Sequence, residues 1–151
     1  MTLAVAPCPV TDPDALRLIG ESEAALAALY PPEHRHAFSP EQLIAAGVVF
    51  VLARRDGQAV GCGGMAPLDG YGELKRIFTT RTARGRGVAR AVIAALEAEA
   101  RRRALPLMRL ETGEASPEAL AAYGRLGYHR RGPFGSYADN GASVFMEKGP
   151  S

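Results

Sequence analysis

Apolar and polar positions along the chain change period several times, and each change marks an element. Residues 3–8 read as a first strand. Leu16, Ile19, Leu26 and Leu29 then recur at roughly helical spacing. Thr11 or Asp12 stands where a cap is needed, Pro13 lies in the first turn, and Pro31-Pro32 stops the helix. After a loop over 31–40, Ser39 and Pro40 open a short helix that Gly47 ends. Three strands follow, over 48–54, 58–67 and 71–79, joined at Asp56-Gly57 and Asp69-Gly70. Gly61, Gly63 and Gly64 interrupt the middle one, which points to a bulge or a close backbone approach.

The longest helix is predicted over 85–103. Val88, Val92, Leu96 and Ala100 fall four apart, and Glu97–Arg101 and Glu99–Arg103 pair on the wet side. A strand over 107–112 comes next, then a helix opened by the Ser116 cap and Pro117 and closed by Gly127. Strands over 128–132 and 142–148 finish the chain, separated by a loop rich in Pro, Gly and aromatic residues. The order β α α β β β α β α β β predicts an α/β (mixed α+β) fold. Its centre is a mixed, mostly antiparallel sheet of about 6–7 strands with helices on both faces.

Composition narrows the class. The 151 residues, 47% hydrophobic and 23% charged, suit one domain spanning 1–151. No apolar run approaches the ~18 residues of a membrane helix, and the first ten residues carry no basic stretch of a secretory signal. Two cysteines, Cys8 and Cys62, make neither a disulfide framework nor a zinc site, so the expected setting is the cytoplasm and no metal is expected.

Charge changes the picture more. The net +2 conceals a segregation. Residues 1–74 hold four arginines against nine acids, or −5; residues 75–103 hold nine cations against two acids, or +7; residues 104–151 hold five of each. A concentrated positive segment calls for a polyanionic partner. At its centre lies Arg84-Gly85-Arg86-Gly87-Val88-Ala89, between a strand and the long helix. Glycines uncover amides there, and the first helical amides have no internal partners and sit at the positive end of the dipole. Arg84, Arg86 and Arg90 add full charges, so the segment fits a phosphate. It lacks the Gly-Lys-Ser/Thr of a P-loop and the third glycine of a dinucleotide fingerprint.

Arg84, Gly87 and Ala89 match the signature of the GNAT N-acetyltransferase superfamily, which the chain resembles: Arg or Gln, two residues, Gly, one residue, Gly or Ala. The strand 73–79 looks like the family's fourth, and Ser116 to Tyr128, with Ala119, Tyr123 and Gly127, looks like its second acetyl-CoA motif. Many relatives carry Asn at the place of Ser116. The resemblance covers nearly the whole chain and implies a GNAT-like fold with acetyl-CoA as co-substrate. Its pyrophosphate would lie on the amides of Gly85, Arg86, Gly87, Val88, Ala89 and Arg90. Its pantetheine arm would pair with the backbone of Ile77, Phe78 and Thr79, with Ser116 and Tyr123 beside it.

Acetyl transfer to an amine needs a base, a stabilised oxyanion and a proton for the leaving thiolate. The resemblance implies direct transfer, with Glu73 at the position of the family's general base and Tyr123 as the acid near sulfur. Lys75, two residues along the same strand face, offers Glu73 an ion pair that would weaken it as a base. The resemblance also places Tyr30, Arg35 and His36 at the acceptor pocket. The loop 133–139, with Phe134 and Tyr137, resembles one that closes over the acceptor in a subgroup of small relatives. Arg35, Lys75 and Arg76 leave room for an acceptor that carries a carboxylate.

The expected activity is N-acetylation of a small primary amine, by a monomer or homodimer. A protein or peptide acetyltransferase and a non-catalytic acetyl-CoA-binding module are the alternatives. A nucleic-acid partner is disfavoured because few aromatics interleave with the arginines and the first half is acidic.

Overall fold

The computed structural model describes residues 2–149. Strand β1 (Leu3–Pro7) pairs antiparallel with β2 (Val49–Arg55). Between them run α1 (Pro13–Leu29), a 3-10 turn over Pro32–His34 and α2 (Pro40–Ala45). Strands β3 (Gln58–Leu68) and β4 (Tyr71–Thr79) continue the antiparallel meander. Helix α3 (Val88–Arg102) crosses over to β5 (Leu107–Gly113), which runs parallel to β4. Helix α4 (Pro117–Arg125), β6 (His129–Arg131) and β7 (Ser143–Lys148) complete a seven-stranded sheet in the order β1-β2-β3-β4-β5-β7-β6. The mixed, mostly antiparallel sheet and the element order are those that the residue pattern predicts. No described helix is long and apolar enough to cross a membrane.

Local chemistry sets the ends. The Asp12 carboxylate accepts from the Asp14 amide at 2.8 Å. Ser39 and Gln42 form a reciprocal capping box at 3.2 and 2.8 Å. The long helix starts later than its sequence predicts. Gly85 and Gly87 have φ of +77° and +80°, so a right-handed helix begins only at Val88. Ser116 also departs from expectation. It stands at the N-cap of α4, but its hydroxyl caps no amide and instead lies 2.7 Å from the Tyr30 hydroxyl.

Helices cover both faces. On one, Val88, Val92, Ile93, Leu96 and Ala100 of α3 pack with Met65, Leu74, Met108 and Leu110. On the other, Ala15, Leu18, Ile19 and Leu43 pack with Phe50, Leu52 and Cys62. A Cβ at Gly63 would collide with the Ile77 and Val92 side chains, so this glycine lets α3 lie close on the sheet.

Two irregularities position the site. The β3–β4 register jumps between Cys62↔Phe78 and Gly64↔Lys75, leaving Gly63 opposite both Arg76 and Ile77. The extra residue is Arg76, at φ +54°. A left-handed arginine costs about 1–3 kcal/mol unless its surroundings hold it. Here its guanidinium donates to Phe38 O at 2.9 Å and Ser22 Oγ at 3.1 Å, and pairs with Glu23. The second irregularity is a splay. β4 and β5 pair only over Tyr71–Glu73 and Leu107–Arg109, then part.

Candidate active site

A cavity of about 1100 Å³ fills the splay. Carboxyl ends of diverging parallel strands are where open α/β sheets bind ligands. One limb is built mostly of backbone. Ile77, Phe78 and Thr79 line it from β4, with Arg84, Gly85, Gly87, Val88, Ala89 and Arg90 at the start of α3. Ser116 and Tyr123 face it from α4. The first intrahelical bond of α3 runs from Ala91 N to Gly87 O at 3.1 Å, so the amides before Ala91 have no partner within the helix. Arg84 Nε donates to Thr79 O at 3.3 Å and draws the loop against the strand. Open amides, a positive helix end and arginines fit a pyrophosphate.

Of the residues expected in this limb, Arg86 stands apart. It is exposed and lies outside the cavity wall. It sits between two left-handed glycines, and that turn leaves its side chain in solvent.

The other limb is built of side chains. Glu73 and Lys75 are 5% and 6% exposed and form an ion pair of 2.9 Å. The Tyr137 hydroxyl donates to Glu73 Oε2 at 2.6 Å and receives a bond from Lys75 Nζ at 2.8 Å. Lys75 Nζ also lies 4.0 Å from the centre of the Phe38 ring. Burial and the bond to Glu73 push the Tyr137 phenol well above its usual range. Tyr30, Arg35, His36 and Tyr137 line this limb. Phe134 does not. It is 5% exposed and packs edge-on against Tyr71, Tyr137 and Phe145 at 5.6, 5.2 and 5.6 Å. Its apolar ring fills the floor under Tyr137, which carries the polar tip.

Sequence reading missed Glu111. It stands on β5, two residues past the last β4 pairing, and lines the cavity. Ser143 Oγ donates to its Oε2 at 2.7 Å. Burial pushes its carboxyl up to about 7, against the opposing pull of the Ser143 bond and of Lys75. The charge of Glu73 adds to the rise. Burial likewise raises the Tyr123 phenol far above its ordinary value, with Glu111 contributing. The cavity thus holds a carboxyl poised near neutrality and a phenol that keeps its proton. Arg125 of α4 and Arg76 also reach the wall. Cys62 is fully buried and its thiol is pushed up to about 12, so it offers no thiolate at neutral pH.

Comparisons with known proteins identify the family and the fold. The family model described as Acetyltransferase (GNAT) family matches residues 17–128. An IAA acetyltransferase of Azospirillum brasilense is 41% identical over 136 residues, 88% of each chain. A crystal structure from Klebsiella pneumoniae subsp. pneumoniae, provisionally named an acyl-CoA N-acyltransferase, superposes with a TM-score of 0.83 at 33% identity over 99% of both chains. The PaiA N-acetyltransferase of Thermoplasma acidophilum, solved with coenzyme A, shares the fold at a TM-score of 0.78 and 17% identity over 99% of both chains.

Proposed function

The chain belongs to the GNAT acetyltransferase family, and on that premise we propose that it moves an acetyl group from acetyl-CoA to the primary amine of a small molecule. The observation that carries the reading is that Glu111 and Tyr123 line the same cavity as the open amides of α3. Acetyl-CoA, when bound, supplies the acetyl group as an activated thioester.

The amides at the start of α3, with Arg84 and Arg90, bind the pyrophosphate. The Ile77–Thr79 backbone has no sheet partner on its β5 side, so it offers hydrogen bonds to an extended arm. Glu111 is half ionised near pH 7 and accepts a proton from the acceptor ammonium. Ser143 holds its Oε2, which fixes the carboxyl and leaves Oε1 for that proton. The Tyr123 hydroxyl, still protonated, donates to the departing sulfur. An amide at Ile77 or Phe78 holds the oxyanion. Glu73 spends Oε2 on holding Lys75 and Tyr137 and keeps Oε1 open; its assigned role is to order those two side chains, with the proton going to Glu111, whose carboxyl is the one raised to about 7.

A small acceptor suits the site. Tyr30, at the end of α1, bonds to Ser116, and Tyr137 is held over the sheet by Lys75, so both side chains narrow the cavity. Cys8 and Cys62 are free thiols, in keeping with a cytoplasmic enzyme.

The test is a panel of small primary amines, with peptides that have a free N-terminus assayed alongside. Release of free thiol from acetyl-CoA is followed together with the mass of the acetylated product. A small amine that gains one acetyl per thiol released is the expected result. Acetyl-CoA binding with no acetylation of any amine, or acetylation of peptides alone, would overturn the reading.

A further inference from the structure

The acceptor limb holds one cation that its own residues satisfy only in part. Three cations stand there: Lys75, Arg76 and Arg35. Lys75 is held by Glu73 and Tyr137. Arg76 is held by Glu23, Ser22 and the Phe38 carbonyl. Each is fixed by two or more partners, so neither is free to turn toward a ligand. Glu111, the remaining carboxyl, is bonded to Ser143.

Arg35 differs from both. Its Nη1 reaches Glu23 only at 3.5 Å, on a carboxylate whose other oxygen already serves Arg76. Its Nε is buried and has no hydrogen-bond partner, the one such side-chain atom among the described residues. A buried donor left without a partner costs about 1–3 kcal/mol. Such a group in a folded protein calls for an explanation, and here it marks a guanidinium that its surroundings hold only weakly. Arg35 lines the cavity, in the limb where Tyr30, His36 and Tyr137 also stand. The side chain is about one-fifth exposed, so a ligand in the cavity can reach its edge. The buried Nε is closed to the cavity, but Nη2 makes none of the hydrogen bonds of this side chain, and the two terminal nitrogens present paired donors that match the two oxygens of a carboxylate.

We propose that Arg35 anchors a carboxylate on the acceptor, so that the acceptor is an amino acid or another small amine bearing a carboxylate. The amine end then lies toward Glu111 and the carboxylate toward the loop between α1 and α2. The proposal rests on the N-acetyltransferase reading for its amine, but the anion site is a property of Arg35 alone and is tested without turnover as well as with it.

The first arm compares matched acceptors that differ only in charge: amino acids, β-alanine and 4-aminobutanoate against their carboxamides. The readout is the ratio of kcat/KM for carboxylate over carboxamide. Wild-type protein is expected to favour the carboxylate by at least about tenfold, within the range of one charge-assisted bidentate contact. Arg35→Gln is expected to collapse that ratio to near one, and Arg35→Lys to leave an intermediate value. A wild-type ratio near one, or an Arg35→Gln variant that loses both acceptors equally, would overturn the proposal.

The second arm measures binding of N-acetyl-amino acids and their amides to the CoA-loaded protein by calorimetry. Carboxylate-dependent binding that Arg35→Gln abolishes, while CoA affinity holds, supports the anchor even if no acceptor turns over. In that case the transferase reading fails and the anion site stands. Absence of any carboxylate preference in binding overturns the anchor whatever the turnover shows.

Discussion

The two limbs of the cavity are made in different ways. The cofactor limb is main chain: strand amides of Ile77–Thr79, two left-handed glycines and the start of α3, within one run of sequence. The acceptor limb is side chain: Tyr30 and Arg35 from the end of α1 and its loop, Glu73 and Lys75 from β4, Glu111 from β5, and Tyr137 from the loop before β7. A backbone site recognises a group shared by every turnover and tolerates changes of side chain. A side-chain site selects the acceptor and moves its proton, so single substitutions there should cost more in kcat.

The sharpest break comes from the carboxylates. Glu111→Gln should lower kcat by about 10²–10³, in the range of one general base, while Glu73→Gln should cost about tenfold through lost order at Lys75 and Tyr137. Rapid-quench or steady-state assays of acetylated product read both. Next in size, Tyr123→Phe should lower kcat by about 10² with little change in the affinity for acetyl-CoA. The main chain of the cofactor limb should answer in the other parameter. Gly87→Ala forces a Cβ into φ +80° and displaces the amides that follow. It should raise the KM for acetyl-CoA about tenfold and leave the carboxylate-to-carboxamide ratio unchanged.

The smallest effect is on stability and concerns the same carboxyl. Glu111 binds its proton more tightly folded than unfolded, with a folded value of about 7 against an ordinary 4.5. The folded state therefore holds more protons between those values, and stability falls as pH rises through that window. Glu111→Gln should match wild type near pH 4 and exceed it by about 2 kcal/mol at pH 8, after allowance for partial solvent access. Denaturant unfolding at the two pH values checks this. A variant less stable at both would show that the carboxyl is held for structure.

The contrast between limbs also explains why one is easier than the other to read from the sequence. The cofactor limb is legible because it is contiguous: Arg84, Gly87 and Ala89 lie within six residues, and glycine spacing reports backbone conformation directly. The Arg86 side chain is the exception in this run, because a motif read as a string does not show which side chains a left-handed turn leaves in solvent. The fold is legible because α3 keeps a strict apolar face and the strands are bounded by Asp-Gly turns. The acceptor limb is legible only in pieces. Glu111 lies in a strand whose neighbours Met108 and Leu110 are buried, and an acid there acquires meaning only when the splay opens beside it. The alternation Met108, Leu110 in and Arg109, Glu111 out is visible in the strand, but it does not separate the acid that enters the cavity from the arginine that pairs with Glu147. Lys75 is visible as a partner for Glu73. Tyr137, 62 residues further on, completes the triangle through tertiary contact that no local pattern encodes. Phe134 and Tyr137 are three apart in one loop, and only packing separates the buried ring from the one that lines the cavity.

The most direct test of the central claim is the pH dependence of kcat for wild type, Glu111→Gln and Glu73→Gln, measured with one saturating amine and saturating acetyl-CoA. The wild-type profile should rise to a plateau with a midpoint near pH 7, in line with the Glu111 carboxyl. Glu73→Gln should keep that midpoint at lower amplitude, and Glu111→Gln should lose the rising limb altogether. A Glu111→Gln profile that retains the limb, with its disappearance in Glu73→Gln instead, would contradict the assignment of the proton-accepting role to Glu111.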